Sequence, residues 1–306
     1  MENSAQKRTA AVLIVIAGCL WGTMGLFVRY LSVQGLDSMQ ICTVRSILTA
    51  VLLTAALGVF KPALLKVRLR DLWCFAGTGI ASVLFFNYCY FKCMSVTSLS
   101  VAAVLLYTAP FFVIVFSYFL FKEKIGLRKT AALVLAFLGC VLVSGVFSQG
   151  EAVPVSGLLL GLCAGVGYAL YSVFSRYALQ RGYHSLTVTA YTFLFAAAGG
   201  ALITDFTPIA QAVGAAPAAT LGFYILFAAV STLLPYICYT KGLGAIENGT
   251  ASVLASVEPV VATVIGIFVF HEALTLSNAA GMALVLVGMV ILNPAKRGER
   301  GADAQG

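Results

Sequence analysis

The sequence predicts an all-α integral membrane protein, built from ten transmembrane helices arranged as two inverted five-helix repeats. Three observations predict it. Of 306 residues, 61% are hydrophobic and only 10% charged, whereas a soluble domain carries about a quarter charged residues. The apolar residues fall in runs of about 20, the length a helix needs to cross the hydrocarbon of a bilayer. The second half of the chain repeats the first. Barrel strands, with roughly ten alternating residues, are too short to explain the runs, and no third kind of structure satisfies its backbone in lipid.

The first run, residues 9 to 31, follows MENSAQKR. It is too long for a signal-peptide core and lacks a small-residue cleavage site, so it reads as the first helix. The second, 38 to 60, holds Arg45 within SMQICTVRSILTAVLL. The third, 72 to 92, contains the aromatic stretch FFNYCYF with Asn87, and the fourth, 97 to 121, contains Tyr107 and Pro110. The fifth runs from 129 to 147. The sixth, 156 to 178, carries Gly157, Gly161 and Gly165, as the first carries Gly18, Gly22 and Gly25. Small residues at helical spacing allow close helix crossing in lipid, which is favoured here over a phosphate-binding role. The seventh and eighth are 185 to 204 and 219 to 240. The ninth, 250 to 270, contains Glu258 beside Pro259, and the tenth spans 276 to 293. Residues 1–149 thus form the first repeat, 150–294 the second, and 295–306 a tail.

A net charge of +8 raises the question of a nucleic-acid partner. If the N-terminus is cytoplasmic, sixteen of the nineteen Lys and Arg lie on inside segments: Lys7, Arg8, Lys61, Lys66, Arg68, Arg70, Lys122, Lys124, Arg128, Lys129, Arg176, Arg181, Lys241, Lys296, Arg297 and Arg300. The outside loops carry Asp37, Glu151, Asp205 and Glu272 instead. This bias sets topology and accounts for the basic balance without nucleic acid. It places both termini in the cytoplasm and the protein in the cell membrane. The eight cysteines lie in or beside the runs, without a CxxC pair and with only two His in the chain; small apolar packing explains them better than metal or disulfides. Motifs for ATP hydrolysis or a hydrolase are absent, so an enzyme is not expected and no cofactor is implied.

An offset of 149 residues aligns Cys89 with Cys238, Tyr90 with Tyr239, Lys92 with Lys241, Pro110 with Pro259, Phe119 with Phe268, Glu123 with Glu272 and Gly139 with Gly288. Nearer the N-terminus an offset of 147 pairs Gly18 with Gly165, Trp21 with Tyr168, Phe27 with Phe174, Arg29 with Arg176 and Tyr30 with Tyr177. Five spans per half force the halves to lie opposite ways up. The aligned loops agree, since KEKIGLRK is basic and HEALTLSN has lost every Lys and Arg. Inverted repeats place a pathway at the midplane between halves, an architecture of secondary transporters.

The pair YTAPFFVIVFSYFLFKE and SVEPVVATVIGIFVFHE, each followed by a glycine-bearing helix, together with WGTMGLFVRY, resembles the EamA-type branch of the drug/metabolite transporter superfamily over residues 9 to 293. The resemblance implies a ten-helix bundle with spans 1, 3, 4, 6, 8 and 9 around a central cavity and spans 5 and 10 as peripheral supports. It also implies movement of amino acids, other small metabolites or drugs, often outward. One departure is Ala109, which stands where the second half has Glu258.

Glu258 lies about eight residues into its run, about 12 Å deep at 1.5 Å per residue. A carboxylate there costs about 2.5 kcal/mol or more unless it faces a polar cavity, pairs, or takes a proton. Pro259 and Pro110 each free a backbone carbonyl at the same depth, of Ala255 and Leu106, and mark candidate hinges. Packing through a protonated Glu258 is the competing reading. Arg45 either snorkels outward along its stem or faces a carboxylate on substrate or Glu258. Arg29 and Lys92, nearer span ends, read as interfacial anchors. The stretch FFNYCYF with Tyr107, Tyr168, Tyr171, Tyr236 and Tyr239 puts several phenols in or near the runs expected to line a cavity. Tyr107 and Tyr171, well inside their runs, are with Trp21 and Tyr168 the candidates for an aromatic-lined binding cavity. Asn87 either orients a zwitterion or bonds between helices.

The expectation is a secondary transporter that exports a small metabolite, an amino acid or similar amphipathic solute, by alternating access, with a proton or sodium ion as possible coupling partner. A multidrug exporter is the alternative, and a membrane-embedded non-transport protein a weaker one. Oligomeric state is open.

Overall fold

The computed structural model describes residues 2–146, 154–215, 217–271 and 273–292; Glu151, Glu272 and the tail at 295–306 lie outside the described residues. Among the described residues the chain is all-helical. Each of the ten expected runs is a helical segment, with ends shifted by a few residues. Eight are long and apolar enough to cross a membrane: Ala5–Val33, Ser38–Phe60, Leu69–Val96, Val101–Phe121, Leu127–Ser144, Val155–Gln180, Ala218–Leu243 and Asn248–Phe270. The seventh and tenth, Ser185–Ala201 and Leu276–Leu292, are shorter, with 17 residues each, or about 25 Å against a hydrocarbon core of about 30 Å. The exterior carries Val51, Phe60, Phe119, Leu159 and Phe268, while the interior buries Thr78, Thr192, Thr240 and Asn248. Such a surface fits lipid as its solvent.

The sequence left the loop before the eighth segment without structure. It holds a nine-residue helix, Thr207–Ala215. Asp205 Oδ1 accepts the Thr207 N–H at 2.9 Å, and the hydrogen bonds from Thr207 hold this carboxyl below the usual carboxylate range. Ile209, Ala212 and Val213 pack against a cluster that includes Leu31, Tyr224 and Phe227.

The fourth and ninth segments are each broken in the same way. The fourth consists of Leu99–Leu106 followed by Ala109–Phe121, and the ninth of Asn248–Ala255 followed by Glu258–Phe270. Pro110 and Pro259 occupy the second position of the second half-helix, where a missing N–H costs nothing. Each segment ends on a left-handed non-glycine residue, Lys122 and His271, both at φ 55°. The third and eighth segments also share a feature, a π-helical stretch over Gly77–Leu84 and Ala229–Leu233, ending at positions 149 residues apart. In the eighth, Pro235 follows two residues later, and the wider turn accommodates its missing donor.

The principal helix contacts join the two halves: first with eighth and ninth, second with seventh, third and fourth with sixth, fifth with tenth. Glycines set the closest of these. A Cβ at Gly18 would lie 2.8 Å from Ala255 O, and one at Gly22 2.7 Å from Glu258 O, so the first segment lies directly over the ninth segment's break. Gly165 faces Thr108 and Leu105 at the fourth segment's break in the same manner. Gly139 and Gly281 meet each other's carbonyl oxygens between the fifth and tenth segments. Gly25 has nothing within 4 Å, so the close-crossing reading holds for Gly18 and Gly22 but not for it.

Candidate functional site

Two narrow cavities lie side by side in the interior and share the ring of Tyr168. The first is lined by Trp21, Ser82, Phe86, Tyr168, Tyr171, Ser172, Tyr236 and Tyr239. The second is lined by Leu106, Tyr107, Ala109, Pro110, Tyr168, Ser252, Ala255, Ser256 and Glu258. These residues come from the first, third, fourth, sixth, eighth and ninth segments. The fifth and tenth contribute none to either cavity.

The first cavity is an aromatic box. Trp21 meets Tyr236 edge to face at 5.2 Å and Tyr239 at 5.3 Å. Tyr171 meets Tyr236 at 4.9 Å, and Phe86 meets Tyr168 at 5.6 Å. Ring edges against ring faces add packing energy. Two of the tyrosine hydroxyls are partnered: Tyr171 OH with Thr240 Oγ1 at 2.6 Å and Tyr239 OH with Ser172 Oγ at 2.9 Å.

The second cavity is acidic. The half-helix Asn248–Ala255 ends at Ser256 and Val257, and Glu258 starts the next half-helix. The break turns the carboxylate into the space beside Tyr107 and Tyr168. Among the described residues Glu258 has no hydrogen-bond or ion-pair partner. A carboxylate at this depth needs one or a proton, so the group is open to a cation, a donor or a proton.

Arg45 does not snorkel. It is 3% exposed and donates to Asn87 Oδ1 at 3.1 Å, with Met24 Sδ at 3.5 Å and Cys42 Sγ at 3.9 Å as weak acceptors. Asn87 Nδ2 in turn donates to Val83 O at 2.6 Å. Thus Asn87 bonds between helices, one of its two expected readings, and lines neither cavity. Arg45 lines neither cavity. Arg29 is exposed and lies 4.2 Å over the Phe270 ring, and Lys92 is exposed.

The structure therefore brings together Glu258, Tyr107, Tyr168, Tyr171 and Trp21, with Arg45 and Asn87 behind the wall. Phe86 of FFNYCYF, Tyr236 and Tyr239, named with the other aromatics of these runs, also line the first cavity. The serines 82, 172, 252 and 256 were missed as lining residues; they carry no signal above ordinary helix-packing hydroxyls. Among the described residues no three His, Cys, Asp or Glu side chains come together as metal ligands.

An all-helical multi-pass membrane protein with an interior cavity of aromatic rings and one carboxylate belongs to the class of membrane transporters. The EamA-like transporter family matches twice, over residues 8–145 and 155–293, and the chain belongs to that family, whose members are transporters rather than enzymes. It is 27% identical over 288 residues to an uncharacterized transporter of Archaeoglobus fulgidus, covering 93% of this chain and 96% of that protein. An uncharacterized transporter of Bacillus subtilis is 24% identical, with 99% and 96% covered. A probable amino-acid metabolite efflux pump of Salmonella typhimurium is 24% identical over 199 residues, 62% of this chain and 66% of that one. One crystal structure superposes with a TM-score of 0.77 over 94% of this chain and 97% of its own, at 19% identity, a likeness of fold alone.

Proposed function

We propose that the chain is a secondary transporter of the cell membrane that exports a small amphipathic metabolite, an amino acid or similar solute, by alternating access. The observation that carries this is Glu258, a carboxylate without a protein partner among the described residues, turned by a helix break into a cavity shared with Tyr107 and Tyr168. In this reading all ten segments span, the halves are inverted repeats over 1–149 and 150–294, and both termini are cytoplasmic. The recurring helix breaks, the left-handed ends and the double family match support the repeat; the basic loops support the orientation. Trp21, Tyr168 and Tyr171 receive the apolar part of the solute. Glu258 meets its amine or carries a coupling proton or sodium ion. Arg45, held by Asn87, supplies the balancing positive charge for a carboxylate. Pro110 and Pro259 mark the hinges. The Salmonella relative's name points to amino acids and to efflux. The aromatic box also suits flat cations, so unrelated aromatic cations that compete with the exported solute favour multidrug export.

The test has two parts. Metabolite profiling of medium from cells with and without the chain identifies the solute, and Glu258→Gln in proteoliposomes separates charge from packing. A counter-charge role predicts weaker solute binding with little remaining pH dependence. A proton-carrier role predicts that exchange persists while uphill accumulation fails. A Gln variant that binds, exchanges and accumulates like the parent at every pH tested removes Glu258 from the site.

A further inference from the structure

A second polar cluster lies where the fourth, fifth, sixth and ninth segments meet, outside both cavities, and includes Glu123 and Arg176, the repeat partners of Glu272 and Arg29. Glu123 follows the fourth segment, and its carboxylate caps the start of the ninth. Oε1 accepts the Asn248 N–H at 2.8 Å and Oε2 the Gly249 N–H at 3.3 Å. Lys129 Nζ lies 3.5 Å from Glu123 Oε2 and donates to Glu247 Oε2 at 2.7 Å. Arg176, on the sixth segment, donates to Asn248 Oδ1 at 2.9 Å and to Ile246 O, and sits 3.8 Å from Glu123 Oε1. The side chains of Glu123 and Lys129 are only 10% and 8% exposed.

The cluster reaches the aromatic cavity through an unbroken set of polar contacts. Asn248 Nδ2 donates to Ser172 O at 3.4 Å, and Ser172 Oγ bonds Tyr239 OH at 2.9 Å, both residues lining that cavity. It also holds one end of the half-helix Asn248–Ala255, whose other end supplies Ser252, Ala255 and Ser256 to the acidic cavity and stops at a break. The latch therefore pins a short rigid lever from one half of the chain to charges mostly from the other. Polar contacts suit such a place. Water can replace each of them as the end opens, whereas separating an apolar seam exposes surface with no substitute partner.

We infer that Glu123, Lys129, Arg176 and Asn248 form the gate that closes the cavity toward the end bearing the loop 122–129, and that this gate must break for solute to pass there. The inference rests on the transport reading above but is tested without a transported solute. Ser252→Cys serves as reporter in the otherwise native chain, reacted with a membrane-impermeant maleimide from either face of oriented vesicles. Labelling is read at the reporter peptide by mass spectrometry, and Arg128→Cys marks which face carries the loop. Slow labelling from that face is expected in the parent gate. Glu123→Gln, which weakens both the helix cap and the ion pairs, is expected to raise the rate from that face by about tenfold or more, equivalent to a modest shift in the gate equilibrium. Lys129→Met keeps the cap and is expected to raise it less, and Glu123→Asp least. Lys129→Met also serves as an independent reading if Glu123→Gln is poorly folded. Unchanged rates in Glu123→Gln and Lys129→Met, or equal increases from both faces as in a loosened fold, overturn the gate. A normal gate response without any exported solute would count against the transport reading instead.

Discussion

Alanine at Gly18 and at Gly25 should have opposite effects on stability, although both glycines sit in one helical row. A Cβ at Gly18 would stand 2.6 Å from Val257 Cγ1 and 2.8 Å from Ala255 O. Ordinary contact begins at 3.4 Å, so the first segment must withdraw by about 0.6 Å from a backbone oxygen that cannot rotate away. Overpacking of this kind costs about 1–3 kcal/mol. Replacing a helical glycine returns about 0.5–1 kcal/mol by restricting the unfolded chain. The net for Gly18→Ala is a loss of up to about 2.5 kcal/mol, centred near about 1 kcal/mol. At Gly25 nothing lies within 4 Å, so only the gain of about 0.5–1 kcal/mol remains. With a shift of about 2–4 °C per kcal/mol, Gly18→Ala should melt several degrees below the parent and Gly25→Ala a degree or more above it. Fluorescence-detected size-exclusion after heating in detergent reads both, with identical heating times because membrane-protein unfolding is commonly irreversible. Equal shifts for the two variants, or a stabilised Gly18→Ala, would refute the claim that the first segment rests on the ninth segment's break.

Ser277 and Arg128 are both exposed, so a cysteine at Ser277 should react with an impermeant thiol reagent from outside intact cells, and one at Arg128 only after the membrane is opened. Reaction of both from one side would sink the inverted arrangement. Alanine at Pro110 or Pro259 restores a backbone donor at a break and should favour a continuous helix. Flux per folded molecule should then fall more than protein yield, and parental flux in both variants would remove the hinge argument.

Much of the fold was legible because lipid imposes strict terms on a chain. Each of the ten runs became a helical segment, since a long apolar run leaves a backbone few other ways to satisfy itself. Trp21, Tyr107, Tyr168 and Tyr171 were found as cavity residues because tyrosine or tryptophan deep in an apolar run has few other uses. Which of the two readings of Asn87 holds was not legible because an amide's partners are not encoded near it: Val83 is four residues away, but Arg45 arrives from another helix. The helix Thr207–Ala215 was overlooked because its short amphipathic pattern lacks the length that marks a span.

Composition and spacing by themselves determined that this chain is a helical membrane protein and that a carboxylate stands beside a proline inside one of its apolar runs. Those features follow from local chemistry, from apolar length, proline positions and the cost of burying a charge. Only the tertiary structure decided that Gly18 and Gly22 bear on the ninth segment while Gly25 does not, that Arg45 is turned inward onto Asn87, and that Glu123 caps a helix starting at Asn248, 125 residues away. Each of those facts depends on which faces of distant helices meet. That choice is settled by packing across the two halves together, and no single segment contains the information.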